Sequence, residues 1–201
     1  MNAFLNSNLE VQLNNINHRF MELLNPVYER LERFALSMTR NRDDAKDIVG
    51  ETILKALAQF DSLRNEQAFL SFLFTIASRI FYRELKRRDK YQIVGTQDID
   101  ELFGDRLSPE DQSDLSLLFE AAEFLPVKHK EALFLYYLTG FSQKEIAEIQ
   151  KTTATNVKLR IFRARRKLRN DLKLNNIPDK PAAHADEDFT VEQLTPERSR
   201  L

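Results

Sequence analysis

Residues 142–168 read SQKEIAEIQKTTATNVKLRIFRARRKL. Ser142 and Glu145 have capping-box spacing: the Ser hydroxyl can accept from the Glu145 backbone N–H while the carboxylate reaches back to the Ser142 N–H. Ile146, Ala147 and Ile149 give the short helix that follows a face to bury, and Thr153 is placed to cap the next helix. A short helix, a turn and a long basic helix make a helix-turn-helix. At about 100° per residue, Val157, Ile161, Ala164 and Leu168 fall on one narrow stripe, the core face of the second helix.

The opposite face carries Thr155, Leu159, Phe162, Arg163 and Arg166, flanked by Asn156, Lys158 and Arg165. Leu159 and Phe162 are apolar side chains stranded among cations, and a merely solvated charge run has no use for them. A helix in a DNA major groove uses such residues against thymine methyls while Arg, Lys and Asn address base edges and the remaining cations meet phosphates. The competing reading packs Phe162 on a neighbouring domain.

Upstream, helical periodicity recurs over about 113–123 and 127–138. The connections Leu125-Pro126 and Thr139-Gly140-Phe141 are short enough to force tight packing. Residues 91–112 break the periodicity, contain Gly95, Gly104 and Ser108-Pro109-Glu110, and read as a flexible acidic linker. Before it lie helical segments at about 17–24, 25–40, 43–60 and 66–90, the second opening on Asn25-Pro26 as N-cap and first helical residue. The expected architecture is all-α, two small helical domains on a flexible acidic linker, the C-terminal one a helix-turn-helix. Its parts are a polar N-terminal arm over 1–18, a domain over 19–90, the linker over 91–112, a domain over 113–173 and a disordered acidic tail over 174–201.

Composition agrees with this class. A chain of 201 residues with only 4 Gly and 6 Pro argues against a turn-rich β fold. The absence of Cys excludes a disulfide scaffold, a Cys-ligated zinc and a thiol nucleophile. No apolar run approaches 18 residues and the N-terminus has no basic start followed by an apolar stretch, so a cytoplasmic protein without membrane insertion is expected. The net charge of −1 hides a strong segregation. Residues 91–125 hold nine acids against Arg106, and residues 151–173 hold nine bases against Asp171. With a second basic cluster at Arg79, Arg83, Lys86, Arg87, Arg88 and Lys90, this pattern implies a bipartite polyanion binder.

On the 43–60 helix, Asp44, Asp47 and Glu51 lie at i, i+3 and i+7 with Asp43 beside them, while Ile48, Val49, Thr52, Ile53, Ala56 and Phe60 spread over the other side. The helix dipole accounts for acids in the first turn but hardly for Glu51, which leaves a protein-docking face as the functional reading. The 66–90 helix is apolar over most of its circumference, and its remaining face holds Ser71, Thr75, Ser78, Arg79, Tyr82 and Lys86. Hydroxyls, an aromatic ring and cations together suit single-stranded nucleic acid.

In order along the chain, these motifs resemble extracytoplasmic-function sigma factors of the sigma-70 family, the form with regions 2 and 4 only. Asp43-Asp44-Ala45-Lys46-Asp47-Ile48-Val49-Gly50-Glu51-Thr52 resembles the region 2 signature, with Lys46 and Gly50 standing where Glu and Gln are usual. Phe69-Leu70-Ser71-Phe72-Leu73-Phe74-Thr75-Ile76-Ala77 is similar to the segment that follows it. Leu125-Pro126, Gly140-Phe141-Ser142, Glu145-Ile146-Ala147 and Arg163 through Leu168 are similar to region 4. The resemblance implies an alternative sigma factor that binds core RNA polymerase, recognises −35 and −10 promoter elements and promotes melting, with an anti-sigma factor as a further partner. It assigns core-polymerase docking to Asp43, Asp44, Asp47, Ile48 and Glu51. It assigns the −10 element to Asp61, Arg64, Ser71, Thr75, Arg79, Tyr82, Lys86, Arg87 and Arg88. It assigns the −35 element to Thr155, Asn156, Lys158, Leu159, Phe162, Arg163 and Arg166.

No enzyme is expected. His18, His129 and His184 lack metal spacing, no Gly-rich phosphate loop is present, and the grouped carboxylates stand beside no base or nucleophile. No cofactor, metal or catalytic residue is therefore assigned. The alternative reading is a conventional helix-turn-helix regulator with an N-terminal interaction domain, which would bind duplex DNA unaided.

Overall fold

Capping side chains and left-handed residues set the helix boundaries. In the computed structural model, which describes residues 14–63, 65–88 and 109–172, all regular structure is helical. α1 spans 14–24 and runs through a 3-10 turn at Asn25–Val27 into α2, Tyr28–Thr39. α2 ends where Arg40 turns left-handed (φ 51°) and its N–H bonds the Leu36 carbonyl. α3 is Arg42–Gln59, opened by Asn41, whose side chain accepts from the Asp44 N–H at 3.0 Å. A 3-10 turn at Glu66–Ala68, capped by Asn65, leads into α4, Phe69–Arg88. The C-terminal group is α5, Pro109–Glu123; α6, Val127–Tyr137; α7, Gln143–Ile149; and α8, Ala154–Leu172.

Three expectations need correction. Residues 14–18, inside the expected polar arm, are helical. Asn25 caps no helix: Leu24 before it is already right-handed helical, so the chain never adopts the extended backbone an N-cap requires. Residues 109–112 of the expected linker are helical, because Pro109 at the first position lacks only an N–H that would have no partner there. The rest of the arm, residues 91–108 of the linker and the expected tail from 174 lie outside the described residues.

The capping box at Ser142 is complete. Its hydroxyl accepts from the Glu145 N–H at 3.3 Å, and the Glu145 carboxylate accepts from the Ser142 N–H at 2.7 Å. Ser142→Ala should cost about 1 kcal/mol, read as a lower urea midpoint with unchanged m-value. An unchanged midpoint would show the cap to be dispensable.

Phe20, Phe60 and Phe69 form an edge-to-face triad in the N-terminal group, with centroids 5.4 to 5.8 Å apart. In the C-terminal group, Val157, Ile161, Ala164 and Leu168 of α8 are buried with Phe119, Leu135 and Ile146. The two groups pack directly on each other, α4 against α7 and α2 against α6. Phe74 meets Phe141 edge to face at 4.9 Å, and Arg30 donates to the Thr139 carbonyl. The buried Lys130 ammonium donates to the Met38 carbonyl at 3.2 Å and to Glu123 at 3.1 Å.

Candidate nucleic-acid interface

Because α8 buries the stripe from Val157 to Leu168, its other side faces outward. Thr155, Asn156, Lys158, Leu159, Phe162, Arg163 and Arg166 are all exposed, Phe162 at 57% and Leu159 at 42% of their surface. Among the described residues, neither side chain is buried against another element. Thr153 caps α8 by accepting from the Asn156 N–H at 3.2 Å, and Asn156 also donates to Thr152 at 3.2 Å. These bonds fix the N-terminal turn that carries the first polar side chains of the face. Beside it, burial together with the Arg160 and Arg163 cations holds the His129 imidazole below its ordinary pKa.

The second surface is the polar face of α4. Arg79, Lys86 and Arg87 are exposed, Arg87 paired with Glu84 at 2.8 Å. Ser71 and Thr75 are half-buried, and the Thr75 hydroxyl donates to the Ser71 carbonyl at 2.7 Å. Asp61 is exposed in the 3-10 turn Phe60–Ser62, while Arg64 and the Arg88 side chain lie outside what is described. Tyr82 is half-buried and engaged within the chain. Its hydroxyl donates to Glu131 Oε2 at 2.7 Å, and burial beside that carboxylate pushes the phenol pKa up. Ser78, buried next to it, donates to Glu131 Oε1 at 2.5 Å.

The acidic face of α3 divides. Asp43 and Asp47 are exposed and Asp44 is half-buried. Ile48 is 3% exposed and belongs to the core, its side chain turned about 100° from that of Asp47 around the helix. Glu51 is taken up by Arg83 of α4, which grips both carboxylate oxygens, and by Lys55 at 2.8 Å. The Arg83 and Lys55 hydrogen bonds hold the Glu51 carboxyl at about 2. Its place on the helix thus has a structural cause that the dipole argument lacked.

Leu54 was missed. It is 69% exposed, and at about 100° per residue it falls on the same stripe as Asp43, Asp47 and the exposed Gly50. Extending the helical wheel one turn beyond the acids would have found it. Lys130 and Glu131 carry no sequence signal of their own, since their burial depends on contacts between the two helical groups.

Residues 23–91 match the family model for sigma-70 region 2, and residues 116–168 match that for sigma-70 region 4. The chain is 32% identical over 140 residues to RNA polymerase sigma factor SigV of Bacillus subtilis (strain 168), covering 70% of this chain and 82% of that one. It is 34% identical over 142 residues to ECF RNA polymerase sigma factor EcfG of Rhodopseudomonas palustris (strain TIE-1), covering 69% and 76%. Among solved structures, sigma factor RpoE in complex with anti-sigma factor NepR from Bartonella quintana superposes with a TM-score of 0.68 at 29% identity, over 79% of this chain and 99% of that one. CnrH in complex with the cytosolic domain of CnrY shares the fold, with a TM-score of 0.62 at 23% identity over 83% and 96%. With region 2 in the N-terminal helical group and region 4 in the helix-turn-helix group, the chain belongs to the extracytoplasmic-function class of the sigma-70 family, alternative RNA polymerase sigma factors that direct transcription initiation.

Proposed function

We propose that three surfaces divide the work of initiation in this chain. The exposed face of α8 reads the −35 element as duplex, with Thr155, Asn156, Lys158, Arg163 and Arg166 on polar edges and phosphates and Leu159 and Phe162 on methyl groups. The segment 61–67 and the polar face of α4 hold the unstacked −10 strand, an exchange that costs a few kcal/mol of stacking. Asp43, Asp47 and Leu54 of α3 dock core RNA polymerase, with Asp44 at their edge. The two helical groups, which hold the segments 23–91 and 116–168, carry region 2 and region 4, and the acidic stretch between them connects them. The chain acts as a non-enzymatic, cytoplasmic subunit; among the described residues no helix is long and apolar enough to cross a membrane. An anti-sigma factor is a fitting partner, since the RpoE and CnrH structures each hold one such regulator or cytosolic domain.

The observation that carries this reading is the exposure of Leu159 and Phe162 amid cations on a capped recognition helix. The test is transcription in vitro with purified core polymerase on genomic fragments. Discrete start sites that need this chain are expected. No start site on any template, together with a gel shift of duplex DNA by the chain alone, would instead favour the conventional regulator.

A further inference from the structure

We infer that the contact between the two helical groups is an autoinhibitory latch, in which Glu131 of α6 occupies the hydroxyl donors that the −10 strand would use on α4. The inference rests on the assignment of the α4 polar face to that strand. Ser71, Thr75, Ser78 and Tyr82 lie on one stripe of α4, and the last two of these donors are both spent on one carboxylate. Glu131 is 1% exposed and also accepts from Gln150 Nε2 at 2.7 Å, while Arg160 of α8 donates to Gln150. A carboxylate gripped by two hydroxyls and an amide mimics the phosphate or base oxygen of a nucleic acid, and it ties the −10 face by way of Gln150 to the recognition helix.

The chemistry of the interface favours release over permanence. Burying Lys130 and Glu131 costs desolvation that well-packed apolar residues of similar size would avoid, so their presence suits surfaces that must be stable both joined and apart. The polar contacts are spread over distinct points: Glu131 on α4, Lys130 on the Met38 carbonyl, and Arg30 on the Thr139 carbonyl with its guanidinium 5.8 Å from the Phe141 ring. Opening exposes Ser78 and Tyr82 to water, where their hydroxyls find partners again.

The chain has no Cys, so dyes can be attached at Gln59→Cys and Asn170→Cys, two exposed positions on opposite groups, in the full-length protein. Single-molecule energy transfer should show one compact state. Glu131→Ala should move the ratio of closed to open molecules by about tenfold toward open, the effect of losing hydrogen bonds to a charged acceptor. Arg30→Ala, which leaves the buried carboxylate alone, should shift it the same way and decides the matter if Glu131→Ala melts by circular dichroism. Binding of a 20-nucleotide oligo(dT) should tighten in parallel with opening. An unchanged distance distribution in the folded variants would overturn the latch and leave the −10 assignment standing. Opening without any gain in oligo(dT) binding would overturn the masking and count against that assignment.

Discussion

Arg163→Ala should weaken the initiation complex at its −35 element by roughly 1–3 kcal/mol, about 5- to 150-fold, and relax the preference at one base pair. Arg163 is exposed on α8 beside Phe162, one residue before the buried Ala164, so its backbone is held by the core while its guanidinium reaches out. A guanidinium so presented has the fork geometry to pair bidentately with a guanine edge, and no shorter side chain replaces both bonds. The measurement is open-complex formation by reconstituted holoenzyme on the cognate promoter and on variants with each −35 base changed. A loss confined to the cognate base identifies base readout. An equal loss on every sequence, with the salt slope reduced by about one, would demote Arg163 to a phosphate contact. Removing Arg163 also takes away one of the two cations that depress the His129 imidazole, so the histidine pKa should rise in the variant.

What could be read in advance follows from the range of the interactions. The α8 stripe of Val157, Ile161, Ala164 and Leu168 and the Ser142–Glu145 box are set by spacings of three and four residues, and both stand where periodicity puts them. Asn25-Pro26 misled because the dipeptide carries a cap signature whether or not the preceding residue is already helical, and α1 supplies that residue. Ile48 shows a different limit: a family motif is a run of consecutive letters, but on a helix its members point about 100° apart, and the core claims one of them. Glu51 looked like surplus surface charge because its partner, Arg83, comes from another helix. The same limit hid Glu131. A charged residue in the buried run Lys130–Leu135 of α6 reads as a defect in a pattern until the α4 donors that face it are known.

The division of the α3 face fixes which charge reversal is informative. Asp47→Arg should reduce affinity for core polymerase by about 100-fold or more, since a like-charged pair brought together at a docking surface costs several kcal/mol. The fold should tolerate it. Asp47 is exposed and lies beyond the first turn of α3, where the dipole effect has faded, so a stability change within about 0.5 kcal/mol is expected. Reversal at Glu51 would place a cation against Arg83 and Lys55 and loosen α3 from α4, and a charge at Ile48 would enter the core; neither separates docking from folding. Binding of labelled variants to core polymerase, measured with salt varied, makes the argument sharper. The part of the affinity owed to Asp43 and Asp47 should fade as salt rises and the Debye length shortens, whereas the part owed to Leu54 should persist. Leu54→Ala should therefore weaken docking by a factor that barely changes between low and high salt. Unaltered core affinity in Asp47→Arg at low salt would remove the acidic stripe from the docking surface altogether.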